Sequence, residues 1–158
     1  MKEIVFTRID DRLIHGQVMT AWLQLSKASE VVISDDKTAK DSFMTMIMKG
    51  SMPAKIGLKV LSTEDAADYL NSEGTNGKVF LLVKTPMELE KLTNKGVKIP
   101  SVCVGGMGAK AGREVLYRNI SANEEERQSL KALAQNGMDV FIQVLSEDTP
   151  MKLQEVVK

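Results

Sequence analysis

Short apolar runs alternate along this chain with amphipathic segments of helical period, and that alternation most constrains what it can fold into. Glu3 to Ile9, Val31 to Ser34, Leu58 to Leu61, Lys78 to Val83, Ser101 to Val104 and Met138 to Leu145 read as strands, with Glu114 to Tyr117 as a short edge strand. The nearly all-apolar run Lys78 to Val83 suits the centre of a sheet covered on both faces. Between the strands, a helix is expected from about Gln17 to Lys27, with Val18, Trp22 and Leu25 facing the sheet. A methionine-rich helix is expected from Asp41 to Lys49, and Ser62 caps one running to Asn71. Thr85-Pro86-Met87-Glu88 opens a helix to about Asn94, because proline is favoured in the first helical turn. Ser121 with Glu124 is expected to cap a helix ending before Gly137, and Thr149-Pro150 to open a terminal helix to about Val157. The expected fold is α/β: an open, mostly parallel seven-stranded sheet with helices on both faces. Ligands bind such sheets at the carboxyl ends of the strands.

The chain has 158 residues, 43% of them hydrophobic, which is enough for one domain over residues 1–158 with a core that needs neither disulfide nor metal. Lysine plus arginine balances aspartate plus glutamate at 21 each. That balance argues against nucleic acid as a partner. No run approaches the roughly 20 apolar residues that span a bilayer, so no direct membrane insertion is expected. The single cysteine, Cys103, lies in an apolar strand and reads as an inert buried thiol. One histidine and one cysteine make a metal site improbable.

That one histidine, His15, stands beyond the carboxyl end of the first strand in Arg8-Ile9-Asp10-Asp11-Arg12-Leu13-Ile14-His15-Gly16-Gln17-Val18. A neutral imidazole offers a lone pair near pH 7, provided an acceptor holds its other nitrogen. Asp10, Asp11 and a backbone carbonyl are all candidates for that acceptor. The amides of Gly16, Gln17 and Val18, at the start of the next helix, point to an anion site, and Gly16 lets the backbone approach it. Arg12 and Arg8 offer planar forks for phosphoryl oxygens. The competing reading makes His15 a turn residue in a solvated salt-bridge network. Asp35, at another strand end on the same edge, and Gly105 and Gly106 are further crevice candidates. Gly105-Gly106-Met107-Gly108 lacks the spacing of a nucleotide-binding loop and reads as a tight turn. A receiver-like or regulatory phospho-binding module is the alternative in a different class, with Asp35 and Asp36 as its acidic pair.

The segment from Arg8 to Val18 resembles the active-site segment of the IIB component of the mannose/fructose/sorbose family of the bacterial phosphoenolpyruvate-dependent sugar phosphotransferase system. The similarity runs on through Gly105-Gly106-Met107, the helix after Ser121 and the ending Gln143-Val144. The chain departs from the family pattern after Met107, where Gly108 and Ala-Lys-Ala-Gly-Arg follow. The resemblance implies a phosphocarrier with sugar phosphotransferase activity and no organic cofactor. His15 would take a phosphoryl group on Nδ1 from a separate phosphorylated IIA protein. It would then pass the group to a mannose-, fructose-, sorbose- or N-acetylgalactosamine-type sugar entering through membrane IIC and IID subunits. By position in the motif Arg12 steadies the phosphoryl group and Asp10 orients the loop or the imidazole, while Arg8 and Gln17 also match. A cytoplasmic protein, peripherally associated with the membrane permease, is the corresponding expectation.

Overall fold

The computed structural model describes residues 1–16, 18–74 and 77–157, without the side chains of residues 19 and 20. Among the described residues seven strands form one sheet: β1 (Glu3–Asp10), β2 (Glu30–Ser34), β3 (Gly57–Leu61), β4 (Lys78–Val83), β5 (Ser101–Gly106), β8 (Asp139–Ile142) and β9 (Met151–Lys152). Their spatial order is β3-β2-β4-β1-β5-β8-β9, and only the β8–β9 pair is antiparallel. The expected open α/β sheet is therefore present. Its seventh strand is not the expected one.

Glu114–Tyr117 (β6) pairs instead with Ile120–Ala122 (β7) in a separate antiparallel hairpin. Arg118 at the reversal has φ of 50°, and tight hairpin turns need such positive values. The segment thus folds back on its neighbour before it can reach the sheet edge. Met151–Lys152 takes the edge, and Lys152 Nζ lies 2.7 Å from Asp139 on β8. The terminal helix is correspondingly short, α7 (Leu153–Val156).

The helices lie on both faces. Connections from β1 through β2 to β3 carry a π-helical turn at Val18–Trp22, α1 (Leu23–Ser26), α2 (Asp36–Ala39) and α3 (Ser42–Ser51). Val18, Trp22, Leu23 and Met48 pack there on Val31, Ile33, Phe80 and Leu82. Connections running the other way carry α4 (Thr63–Asn71), α5 (Pro86–Asn94) and α6 (Glu124–Gln135), which pack on Val32, Leu81, Val83 and Val104. Opposite directions on opposite faces are what a single handedness of crossover requires. The connections leaving the neighbouring strands β1 and β5 run in opposite directions, which makes the carboxyl edge between them the natural place for a ligand.

Two helical details differ from expectation. Trp22 and Leu23 face inward while Leu25 is 64% exposed, because the wider π turn shifts the helical phase after Val18. The cap of α6 is Asn123, in a capping box with Glu126, since Ser121 is still in β7. The caps of α4 by Ser62 and of α5 by Thr85 stand where the sequence put them.

Candidate active site

The central strand β1 ends at Asp10 between β4 and β5, and the chain then turns sharply. Asp10 Oδ1 accepts from the Arg12 amide at 3.0 Å, and the Asp10 carbonyl accepts from the Leu13 amide at 3.1 Å. The turn puts Leu13 at φ 57°, a conformation that costs a non-glycine residue about 1 kcal/mol. Burial of the Leu13 side chain against Val18 and Trp22 offsets that strain and pins the loop to the core. Nothing in the sequence around Leu13 announces this role.

Asp10 has no exposed surface, and among the described residues three side chains converge on it. His15 Nε2 lies 2.7 Å from Oδ2. Arg12 donates from Nε at 3.3 Å and from Nη2 at 3.4 Å. Arg8 donates from Nε at 3.4 Å. Of the acceptors open in the sequence, Asp10 is thus the one at the imidazole. Asp11 points elsewhere. The bond to Nε2 orients the ring and leaves Nδ1 free of this contact, and the His15 side chain retains 15% exposure.

Burial by itself would raise the Asp10 pKa, but hydrogen bonds from His15, the Arg12 amide and the Arg12 side chain outweigh it and hold the carboxyl at about 2. The folded-state value lies below the unfolded one of 3.8, so the folded state binds fewer protons between them. The resulting stabilisation, about 2 kcal/mol, is complete above about pH 5 and disappears as pH falls through about 2. Urea midpoints measured from pH 5 to pH 2 should fall over that window in wild type, and less steeply in Asp10→Asn.

Arg8 is not at the surface, where a phosphoryl fork would be needed. It is fully buried, its guanidinium 4.8 Å from the Trp22 ring centroid, donating to the carbonyls of Gln143 at 3.2 Å and Val144 at 3.3 Å and approaching Cys103 Sγ at 3.4 Å. Arg8 therefore supports Asp10 from beneath. Cys103 is likewise enclosed, and burial, only partly opposed by Arg8, pushes its thiol up to about 11. Such a thiol is protonated and unreactive at neutral pH.

Gly105 and Gly106 are the end of β5 rather than a tight turn, and the β1–β5 register slips between Ile9 and Asp10 so that Asp10 faces Gly106. A methyl group on Gly105 would overlap the Arg8 guanidinium, and one on Gly106 would overlap the Asp10 carboxylate. Both positions must lack a side chain for the carboxylate and its cation to occupy their places. Gly106→Ala is expected to lower stability by about 1–3 kcal/mol and to displace Asp10 from His15. Gly50→Ala, within α3 and with nothing within 4 Å of the added carbon, is the contrasting control in the same thermal melts, expected to raise stability by up to about 1 kcal/mol.

The remaining sequence candidates are dispersed. Arg12 keeps 57% of its side chain exposed despite its bonds to Asp10, so donors remain for an oxyanion. It lines a cavity of about 400 Å³ with Asp11, the glycine strand end, Gly108 and Asn119. Gly16 and Val18 connect His15 to the first helical turn, and the space beside Gly16 is open. Gln17 lies outside the described residues. Asp35 stands apart, beyond β2 with β4 intervening. It accepts from the Thr38 amide at 2.9 Å to cap α2, while Asp36 accepts from the Thr63 amide at 2.8 Å. The acidic pair is thus used in capping. Asp11 accepts from Arg113, a residue that sequence reasoning left without a role.

Residues 4–158 match the family described as PTS system sorbose subfamily IIB component. The chain belongs to that family. It is 30% identical over 158 residues to the sorbose-specific EIIB component of Lacticaseibacillus casei, covering 97% of this chain and 96% of that one. It is also 30% identical to the mannose-specific EIIAB component of Escherichia coli K12, of which it spans about half, 48%. Its fold superposes on the IIB domain of the Klebsiella pneumoniae sorbose permease with a TM-score of 0.93 at 26% identity, covering 98% and 96% of the two chains. Among its described residues no helix is long and apolar enough to cross a membrane.

Proposed function

We propose that this IIB chain is a cytoplasmic phosphocarrier that accepts a phosphoryl group from a phosphorylated IIA protein on His15 Nδ1. It then passes the group to a sugar entering through membrane IIC and IID subunits. The observation that carries this reading is the 2.7 Å contact between His15 Nε2 and Asp10, because a ring protonated at Nε2 has its lone pair at Nδ1. That lone pair attacks phosphorus as the bond from phosphorus to the donor's nitrogen breaks. Nε2 keeps its proton, so the phosphorylated ring carries cationic character, and the Asp10 carboxylate beside it balances that charge. Arg12 turns its spare N–H groups to the phosphoryl oxygens, where charge spreads during transfer. In the second half a sugar hydroxyl oxygen bonds to phosphorus, the Nδ1–P bond breaks, the hydroxyl proton leaves to water and the imidazole returns to its neutral form.

Family membership supports the reaction class, and the clustering of Arg12, Asp10 and His15 supports the assignment within it. Arg12→Lys exchanges a planar fork for a point charge. Losing one charge-assisted hydrogen bond of about 1.5 kcal/mol should slow transfer about tenfold, which quenched-flow labelling would measure. The reading as a whole is tested by incubating the protein with phosphoenolpyruvate, the general phosphotransferase proteins and a IIA protein, then adding membranes and sugar. It requires one acid-labile phosphoryl group that appears on this chain and leaves with the sugar. Labelling on an aspartate, or a label that sugar and permease never remove, would return the protein to the receiver or regulatory class.

A further inference from the structure

Arg113 lies in the loop after β5, far in sequence from His15, yet its side chain is fully buried and its guanidinium holds a residue of the site. Nε and Nη2 form a fork on the two Glu126 oxygens at 2.9 and 2.7 Å. Nη1 and Nη2 reach the two Asp11 oxygens at 2.8 and 3.2 Å, and Nη1 also donates to the Gly108 carbonyl at 2.8 Å. All five guanidinium donors are thereby engaged. Asp11 Oδ2 further accepts from the Gly108 amide at 2.9 Å, so its carboxylate is tied to the far wall of the cavity it shares with Arg12.

In the chain Asp11 stands between the carboxylate that holds His15 and the arginine offered to the phosphoryl group. Freed from Arg113, its negative charge would lie within side-chain reach of the exposed Arg12 guanidinium and of any phosphoryl group entering beside it. It would compete for the one and repel the other. A solvated surface ion pair would explain neither the complete burial of the Arg113 side chain nor the use of every donor.

We infer that Arg113 is a positioning residue for phosphoryl transfer: by sequestering the Asp11 carboxylate it keeps Arg12 and the approach to His15 free for the phosphoryl group. This rests on the reading of His15 as the phosphoryl acceptor.

The test is a rescue. Arg113→Met should slow transfer from phosphorylated IIA about tenfold at saturating donor, and adding Asp11→Asn should restore most of that rate, because the freed charge is then gone. A purely structural role predicts that the second substitution restores the rate only as far as it restores the thermal midpoint, whereas the inference predicts recovery of rate while the midpoint stays lowered by the unpaired Glu126 carboxylate. Should Arg113→Met fail to fold by circular dichroism, the same pair is compared in a Glu126→Gln background, which removes the unpaired buried carboxylate and preserves the capping acceptor. Unchanged transfer in Arg113→Met, or no recovery with Asp11→Asn, overturns the inference and leaves the role of His15 standing. A wild-type protein that accepts no phosphoryl group overturns both.

Discussion

His15→Ala is expected to abolish phosphoryl acceptance altogether while leaving the thermal midpoint within a few degrees of wild type. The side chain bonds Asp10 and belongs to neither hydrophobic cluster of the core, and Asp10 keeps both arginines when the ring is removed. Function and stability should therefore separate at this position. Intact-mass measurement after incubation with the phosphorylated donor reads the first, and a thermal melt the second. A His15→Ala protein that still gains a phosphoryl group would place the acceptor elsewhere.

Asp10→Asn should damage both. The neutral amide leaves the Arg8 guanidinium buried without its counter-charge, and removing one partner of a buried pair costs about 3–5 kcal/mol. The amide can also present either its oxygen or its nitrogen to His15, so the tautomer with the lone pair at Nδ1 is no longer enforced, and the cationic phosphorylated ring loses its balancing charge. Comparable loss of an orienting carboxylate lowers rates up to about ten-thousandfold, and a fall of at least about a hundredfold in transfer is expected here. Urea melts and single-turnover labelling on one preparation measure both effects. Transfer within a few-fold of wild type would mean that the carboxylate merely fills space.

Much of this architecture is legible in the chain because its determinants are local. The run Lys78 to Val83 could only be an interior strand, and Thr85-Pro86 fixes the start of α5 to the residue. The site is legible for the same reason: Arg8, Asp10, Arg12 and His15 fall within one strand end and one turn. What the sequence hides are contacts closed through space. Nothing near Arg8 says that its guanidinium will be enclosed by Trp22, Cys103 and two carbonyls from the other side of β5. The need for glycine at 105 and 106 arises from what β1 places against them, which the β5 sequence cannot express. Arg113 meets Asp11 only because the loop after β5 returns over the carboxyl edge. The π turn at Val18–Trp22 and the hairpin at Arg118 are local events that tertiary packing imposes against the periodic pattern.

The most direct test of the account is nitrogen-15 and phosphorus-31 NMR of the phosphorylated wild-type protein, since its central claim is that Asp10 holds Nε2 and thereby selects Nδ1. The account predicts a single phosphohistidine at His15, substituted at Nδ1, with a slowly exchanging Nε2 proton that Asp10→Asn releases. Phosphorus bonded to Nε2, or to a carboxylate oxygen, would contradict it.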